Sequence, residues 1–217
     1  MNLYSQEIII NKTMSCPVIS IDSSEGCGYL DLIIGPMYSG KTDYLIRELN
    51  IFAIMGAPVL YINHVFDTRD DIFSSHNPTL TKIGNISHKK VETNEQLIDA
   101  CKDYLIIGID ESQFFKGLKD AVLTLVEKQG KRVLVAGLSG NYKREAFGEL
   151  LDLVPICDRI TKLSSCCSSC AISKKIKQAH FSYRLSNDEV DVLVGAKSEY
   201  MPLCRECFIS NTSKNNI

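Results

Sequence analysis

Residues 35–42 read GPMYSGKT, which is a complete phosphate-binding loop pattern. The apolar run at 29–34 predicts a strand before the loop, and the apolar spacing after residue 42 predicts an amphipathic helix behind it. The glycines allow backbone N–H groups to surround phosphate oxygens, and the helix directs the positive end of its dipole toward them. The loop therefore predicts a nucleoside triphosphate site, with the Lys41 ammonium near the β- and γ-phosphates and the Thr42 hydroxyl as a Mg²⁺ ligand. A glycine-rich turn that carries Lys-Thr by coincidence is the alternative, and it explains neither flank.

The composition is that of an ordinary globular protein, with 45% hydrophobic and 23% charged residues among 217. The net charge of −2 offers no broad positive field for nucleic acid or for an anionic membrane. No apolar stretch is long enough to span a bilayer. Residues 1–27 lack a basic start followed by a long apolar core, so we expect an N-terminal extension rather than a secretory signal, and a cytoplasmic protein.

Further strands are predicted at 59–62, 104–110 and 132–138, and helices at 93–102 and 117–129. Such alternation is typical of an α/β fold, here a P-loop NTPase-like parallel sheet with helices on both faces, over residues 28–160. The polar segment 64–90 is predicted to be irregular.

Residues 161–210 predict a second, small unit. It is expected to contain a hairpin with arms at 179–185 and 189–194. The tail at 211–217 is predicted to be disordered.

Asp110 and Glu111 lie where the strand predicted at 104–110 ends, at the sheet edge from which the phosphate loop also opens. Asp110 is placed to hold Mg²⁺, and Glu111 to act as a base. Glu111 could activate water for hydrolysis or accept the proton of a substrate hydroxyl in a kinase. The pair alone does not choose between these reactions, and a helix cap or a solvated carboxylate is the non-catalytic alternative.

Two C-x-x-C pairs, Cys167/Cys170 and Cys204/Cys207, lie 33 residues apart among nine cysteines. Four thiolates can close a tetrahedral site around a structural Zn²⁺. Cys166 could replace Cys167, but the two-residue spacing suits a ligand pair better. Unliganded cytosolic thiols are the alternative interpretation. The segment between the pairs must then form a long loop that the metal fixes at its base.

The order of GPMYSGKT, DTR at 67–69, IGIDESQFF at 107–115, AFG at 146–148 and the two cysteine pairs resembles the zinc-containing, cytosolic-type (type II) thymidine kinases. The resemblance covers about residues 28 to 208. It implies transfer of the γ-phosphoryl group of ATP to the 5′-hydroxyl of thymidine, and also of deoxyuridine, in deoxynucleotide salvage for DNA synthesis. It also implies a homotetramer that the end product thymidine triphosphate inhibits, with no nucleic-acid or membrane partner.

The resemblance also implies roles for individual residues. Glu111 matches the family's catalytic base, and Asp110 and Thr42 match its Mg²⁺ ligands. The implied ATP site comprises Gly35, Pro36, Met37, Tyr38, Ser39, Gly40, Lys41, Thr42, Asp67 and Arg69. The implied nucleoside site comprises Met37, Phe114, Leu138, Tyr142, Phe147, Asp191, Val192, Leu193, Val194, Gly195 and Tyr200, of which 191–195 belong to a zinc-tied lasso loop. Core packing is an equally good interpretation of Leu138 and Phe147.

The segment 138–148 departs from the family pattern at three positions, where Ser139, Tyr142 and Ala146 replace Asp, Phe and Pro. The Tyr142 hydroxyl could shift the base preference. Two other function classes stay open on the residues alone. A nucleoside monophosphate kinase with a zinc-held lid would need more arginines, and a nucleic-acid-stimulated ATPase with a zinc ribbon would need a larger basic face than residues 174–177 supply.

Overall fold

The computed structural model describes residues 27–67, 85–186 and 199–215. Six strands form one parallel sheet in the order β3-β2-β4-β5-β1-β6. The strands are β1 (Tyr29–Gly35), β2 (Val59–His64), β3 (Ile86–Val91), β4 (Ile106–Ile109), β5 (Arg132–Leu138) and β6 (Arg159–Lys162). The helices that connect them are α1 (Lys41–Ile54), α2 (Asn94–Ala100) and α3 (Leu118–Leu123), which continues as a π-helical turn over Thr124–Lys128.

Helices cover both faces of the sheet, because its central strands are apolar on both sides. On one face, Leu45, Ile46 and Leu49 of α1 pack with Ile33 of β1. On the other, α2 and α3 pack against Leu30, Leu32 and Ile34 of the same strand, whose side chains alternate between the two cores. The predicted fold class is confirmed, and β1 delivers the phosphate loop from the middle of a rigid layer.

Two strands of this sheet were not predicted. The segment 86–91 lies within the region predicted to be irregular, but it forms β3, and β6 spans the expected domain boundary at residue 160. Both are edge strands in the described sheet and contain polar, partly exposed residues, so neither is the continuous apolar run of a buried strand. The sheet therefore extends to Lys162.

The C-terminal unit consists of short elements around its own apolar cluster. Its elements are β7 (Ser165–Cys166), α4 (Ser168–Ile172), β8 (Gln178–Ala179), β9 (Phe181–Arg184), β10 (Tyr200–Leu203) and α5 (Arg205–Asn215). β9 confirms the first predicted hairpin arm but pairs antiparallel with β10, a strand that was not predicted. The second predicted arm, 189–194, lies outside the described residues. The prediction of a disordered tail is wrong for residues 211–215, which continue α5.

Among the described helices, none has the length and apolar character needed to cross a membrane.

Candidate active site and metal centre

The phosphate loop joins β1 to α1 through two left-handed residues. Tyr38 has φ 62° and Gly40 has φ 77°, and Gly40 suits a conformation that side chains with a Cβ rarely adopt. The Pro36 carbonyl accepts hydrogen bonds from the Ser39 hydroxyl and from Lys41 Nζ, both at 2.9 Å. The predicted strand, loop and helix are therefore all present. Within the loop, the Pro36 carbonyl holds both the Ser39 and the Lys41 side chains.

Asp110 follows β4 at its carboxyl end. Its carboxylate forms hydrogen bonds with the phosphate loop and with the neighbouring strand β2. Its Oδ2 accepts hydrogen bonds from Thr42 Oγ1 at 2.7 Å and from the Tyr61 hydroxyl at 2.9 Å, and its Oδ1 accepts one from the Glu111 N–H at 2.9 Å. The structure thus brings together the two predicted Mg²⁺ ligands. Tyr61 was missed because a tyrosine within an apolar strand gives no signal of a polar contact.

Burial and the nearby Glu111 carboxylate raise the pKa of Asp110 to about 6, although the three hydrogen bonds act in the opposite direction. A divalent cation favours the ionised form of a carboxylate that binds it. Thr42 and Asp110 supply the hard oxygen donors that Mg²⁺ prefers, so the residues fit this cation.

Glu111 has a left-handed backbone, with φ 48°, which turns the chain out of β4 into a short 3₁₀ turn at 112–114. Non-glycine residues with such φ values are uncommon and cluster at functional sites. Gln113 Nε2 donates to Glu111 Oε2 at 2.6 Å, and the Leu138 N–H donates to Gln113 Oε1 at 3.1 Å. Gln113 was not predicted to be a site residue, although it belongs to the quoted IGIDESQFF segment.

Asp67 is buried beyond the end of β2, where Asn63 Nδ2 donates to its Oδ2 at 2.6 Å and Lys90 Nζ donates to its carbonyl at 2.7 Å. Arg69, its partner in the predicted ATP site, lies outside the described residues.

An aromatic group lies beside Glu111. The Phe114 ring contacts the Phe147 ring edge to face, with centroids 5.8 Å apart, and also contacts Phe66 and His64. Phe66 and His64 were not predicted. His64 is nearly fully buried, its Nδ1 accepts the Phe66 N–H, and burial lowers its pKa.

The remaining described nucleoside candidates meet at β9. The Met37 N–H donates to Ser182 Oγ at 2.9 Å, which connects the phosphate loop to the C-terminal unit. Two residues further along β9, the Arg184 guanidinium lies over the rings of Tyr142 and Tyr200, 4.6 and 5.6 Å from their centroids. Ser182 and Arg184 were missed, and the signal for them was their alternation with Phe181 and Tyr183 along the strand. Residues 191–195 lie outside the described residues.

The four predicted cysteines form one cluster, in which all sulfur atoms lie within 4.8 Å of one another. Cys170 Sγ is 3.9 Å from Cys204 Sγ and 3.6 Å from Cys207 Sγ. Four sulfurs at Zn–S distances of about 2.3 Å in a tetrahedron stand roughly 3.8 Å apart, so the residues fit zinc. Cys166 is exposed and does not belong to the cluster, in agreement with its exclusion.

Burial opposes ionisation of Cys167, but hydrogen bonds from the backbone N–H groups and thiols of Cys170 and Cys204 lower its pKa to about 7. Burial raises the pKa of Cys170, and the hydrogen bond with Cys170 raises the pKa of Cys207 to about 12, so the first thiolate of the cluster forms at Cys167. The thiolate is the form in which cysteine binds a metal.

A family model described as thymidine kinase matches residues 28–208, most of the chain and all the elements that carry the candidate sites. The chain belongs to the thymidine kinase family. It is 34% identical to the thymidine kinase of Oryza sativa subsp. japonica over 185 residues, 84% of this chain and 66% of the rice protein. It is 33% identical to the thymidine kinase of Choristoneura fumiferana entomopoxvirus (86% of this chain, 99% of the viral protein) and 34% identical to Arabidopsis thaliana thymidine kinase a (86% and 77%).

Proposed function

We propose that this protein is an ATP-dependent kinase that phosphorylates the 5′-hydroxyl of thymidine, and of deoxyuridine, in deoxynucleotide salvage for DNA synthesis. The observation that carries the proposal is the contiguity of three groups. Thr42 donates to Asp110, the Glu111 N–H donates to the same carboxylate, and the Glu111 carboxylate accepts a hydrogen bond from Gln113 in the 112–114 turn. The phosphate loop and the two carboxylates proposed to bind the metal and to act as the base are therefore adjacent in a protein of the thymidine kinase family.

In the proposed reaction, the nucleoside 5′-oxygen attacks the γ-phosphorus of ATP, and the bond from that phosphorus to the β,γ-bridging oxygen breaks. Glu111 accepts the 5′-hydroxyl proton, and its carboxylate is only partly exposed. The phosphate-loop N–H groups and the Lys41 ammonium bind the β- and γ-phosphates, with Asp67 and Arg69 contributing near them. Mg²⁺, held by Thr42 and Asp110, would neutralise charge on the phosphate oxygens.

The acceptor pocket is proposed to combine an apolar wall with lasso backbone groups. Met37, Phe114, Leu138, Tyr142, Phe147 and Tyr200 supply the wall, and Asp191 to Gly195 supply the backbone contacts. Thymine offers two carbonyl acceptors, one N–H and a methyl group, which such a pocket can distinguish from a purine.

Cys167, Cys170, Cys204 and Cys207 are proposed to hold a structural Zn²⁺ that fixes the base of the lasso. We further propose a cytoplasmic homotetramer that thymidine triphosphate inhibits and that uses no nucleic-acid or membrane partner. The support for these points is family membership and the geometry of the cysteine cluster.

The test is transfer of labelled γ-phosphate from Mg-ATP to a panel of thymidine, deoxyuridine, deoxycytidine, deoxyadenosine, AMP and thymidine monophosphate. We expect product from thymidine and deoxyuridine and none from the purines or the monophosphates. ATP turnover without an acceptor, or transfer only to a monophosphate, would refute the proposed function. Repeating the assay with single-stranded DNA tests the ATPase alternative directly.

A further inference from the structure

The Gln113 side chain joins Glu111 to the backbone of β5. Its side-chain amide accepts the Leu138 N–H with Oε1 and donates to Glu111 Oε2 with Nε2, at 3.1 and 2.6 Å. Gln113 is 4% exposed, so water does not compete effectively for these bonds.

The direction of the Gln113 amide follows from chemistry. A backbone N–H can only donate, so the amide oxygen must face Leu138. The amide nitrogen then necessarily faces Glu111, whose ionised carboxylate can only accept. Glutamine satisfies both neighbours in one orientation, whereas glutamate of the same shape would satisfy only Leu138.

Two glycines make room for this residue. A Cβ on Gly137 of β5 would lie 2.8 Å from Gln113 Oε1, and a Cβ on Gly148 would overlap the Gln113 carbonyl. Gly148 also has φ 62°, which other residues rarely adopt. The segment 138–148, which supplies Leu138, Tyr142 and Phe147 to the proposed acceptor wall, is thus flanked at both ends by glycines that lie against Gln113. The position of Gln113 therefore determines the distance and orientation between this segment and the Glu111 carboxylate.

We propose that Gln113 is a positioning residue for phosphoryl transfer, which holds the Glu111 carboxylate in a fixed orientation relative to the acceptor wall through Leu138. The inference rests on the proposed function, because it assigns Gln113 a task in that reaction. A base must lie within hydrogen-bond reach of the hydroxyl it deprotonates, and a displacement of about 1 Å can cost on the order of 100-fold in rate. Gln113 acts through Glu111, and its removal should therefore lower kcat more than it changes KM.

The experiment compares Gln113→Glu with wild type in steady-state thymidine phosphorylation. This substitution keeps the shape and the contact with Leu138 but removes the donor to Glu111. We expect kcat to fall about 10- to 100-fold, the range found when a group that orients a catalytic ligand is removed, by analogy with metal sites. The KM values for ATP and thymidine should change less than threefold. The melting temperature should fall, because the new carboxylate is buried beside that of Glu111.

Ser112→Ala is the matched control. Ser112 lies in the same turn, is fully buried, and its hydroxyl makes no hydrogen bond among the described residues, so its removal should leave kcat unchanged. Gln113→Met, which neither donates nor accepts and adds no charge, should give the same fall in kcat. A wild-type kcat in Gln113→Met would show that the loss in Gln113→Glu comes from the added carboxylate, and it would overturn the inference.

A second comparison separates positioning from packing. Glu111→Asp shortens the side chain and so removes the acceptor of the same hydrogen bond. Adding Gln113→Glu to this variant should therefore lower kcat by less than a further threefold. A full additional loss in that background, or a wild-type kcat in Gln113→Glu, would overturn the inference. Failure of the wild-type protein to phosphorylate thymidine is a different result, which counts against the proposed function.

Discussion

The catalytic edge of the sheet and the cysteine unit hold their functional groups by different means. Asp110 is fixed by three hydrogen bonds at the end of a strand that is buried on both faces. The cysteine unit has a cluster of seven buried residues, three of which are the cysteines of the proposed metal site themselves. Polar groups of the sheet can therefore be changed without loss of the fold, whereas a changed cysteine removes both ligand and core.

The largest expected effect is on the cysteine unit. Cys204→Ser should abolish stoichiometric zinc binding, because one ligand of a closed four-thiolate site is lost. Hydrogen exchange should then accelerate in 165–208 while the sheet strands stay protected, and thymidine phosphorylation should disappear. Metal content per chain, exchange mass spectrometry and the kinase assay measure these outcomes. Cys166→Ser, which alters the exposed neighbouring thiol, is the control. Full zinc occupancy in Cys204→Ser would contradict the assignment.

At the sheet edge, we expect the reverse result, a loss of rate without a loss of structure. Glu111→Gln should lower kcat by about 10²- to 10⁴-fold, since the amide cannot accept the hydroxyl proton. The melting temperature should remain close to that of wild type. Glu127→Gln, at an exposed position on the turn after α3, controls for the change of charge. If kcat fell by less than fivefold, Glu111 would not be the catalytic base.

The third prediction concerns the buried Asp31 of β1, to which Arg159 of β6 donates from Nε at 2.8 Å while also pairing with Glu48. Arg159→Leu leaves Asp31 buried without this partner. We expect the free energy of unfolding at pH 7 to fall by about 2 kcal/mol, less than for a fully buried pair because the Arg159 side chain is 40% exposed. Urea unfolding measures the loss.

The same variant has a predicted pH dependence. Burial raises the pKa of Asp31, and the hydrogen bond and charge of Arg159 lower it. Burial keeps the pKa of Asp31 above its ordinary value even beside Arg159, and the loss of Arg159 should raise it further. The folded variant then binds a proton at Asp31 more readily than the unfolded chain does, so the deficit should shrink as the pH is lowered from 7. Asp31→Asn in the same background should recover most of the stability. A deficit that does not vary with pH would count against this account.

The smallest effect is expected at the start of α2. Thr93 Oγ1 accepts the Gln96 N–H, and the Gln96 side chain accepts the Thr93 N–H, which forms a capping box. Thr93→Ala should cost about 1 kcal/mol in unfolding free energy, and Thr93→Ser should cost almost nothing. Neither change should affect kcat. Equal stability of the two variants would show that the capping hydroxyl contributes little.

The sequence was informative where function or burial restricts residue type. The phosphate loop, the four cysteines and β5 were predicted with the residues that the structure gives them, because each has a local pattern. The start of α2 was predicted to within one residue for the same reason.

Contacts between residues that are far apart in the sequence could not be predicted from local sequence patterns. Tyr61 contacts Asp110 from a neighbouring strand, and Arg184 meets Tyr142 across the chain. The edge strand β3 has too few apolar residues to be distinguished from a loop. Such features are set by strand order, which residue spacing does not encode.

The position of β1 has a consequence for synthesis of the protein. β1 is the first strand of the described sheet to be made, yet it lies between β5 and β6, and Asp31 meets Arg159 only 128 residues later. At synthesis rates of about 5–20 residues per second, that interval is roughly 6 to 25 seconds. The β5 partner of Asp31, Leu134, is made 103 residues after it, so the apolar β1 lacks both neighbours for most of this interval. The ribosome-bound chain therefore exposes an aggregation-prone segment at the very strand that carries the phosphate loop.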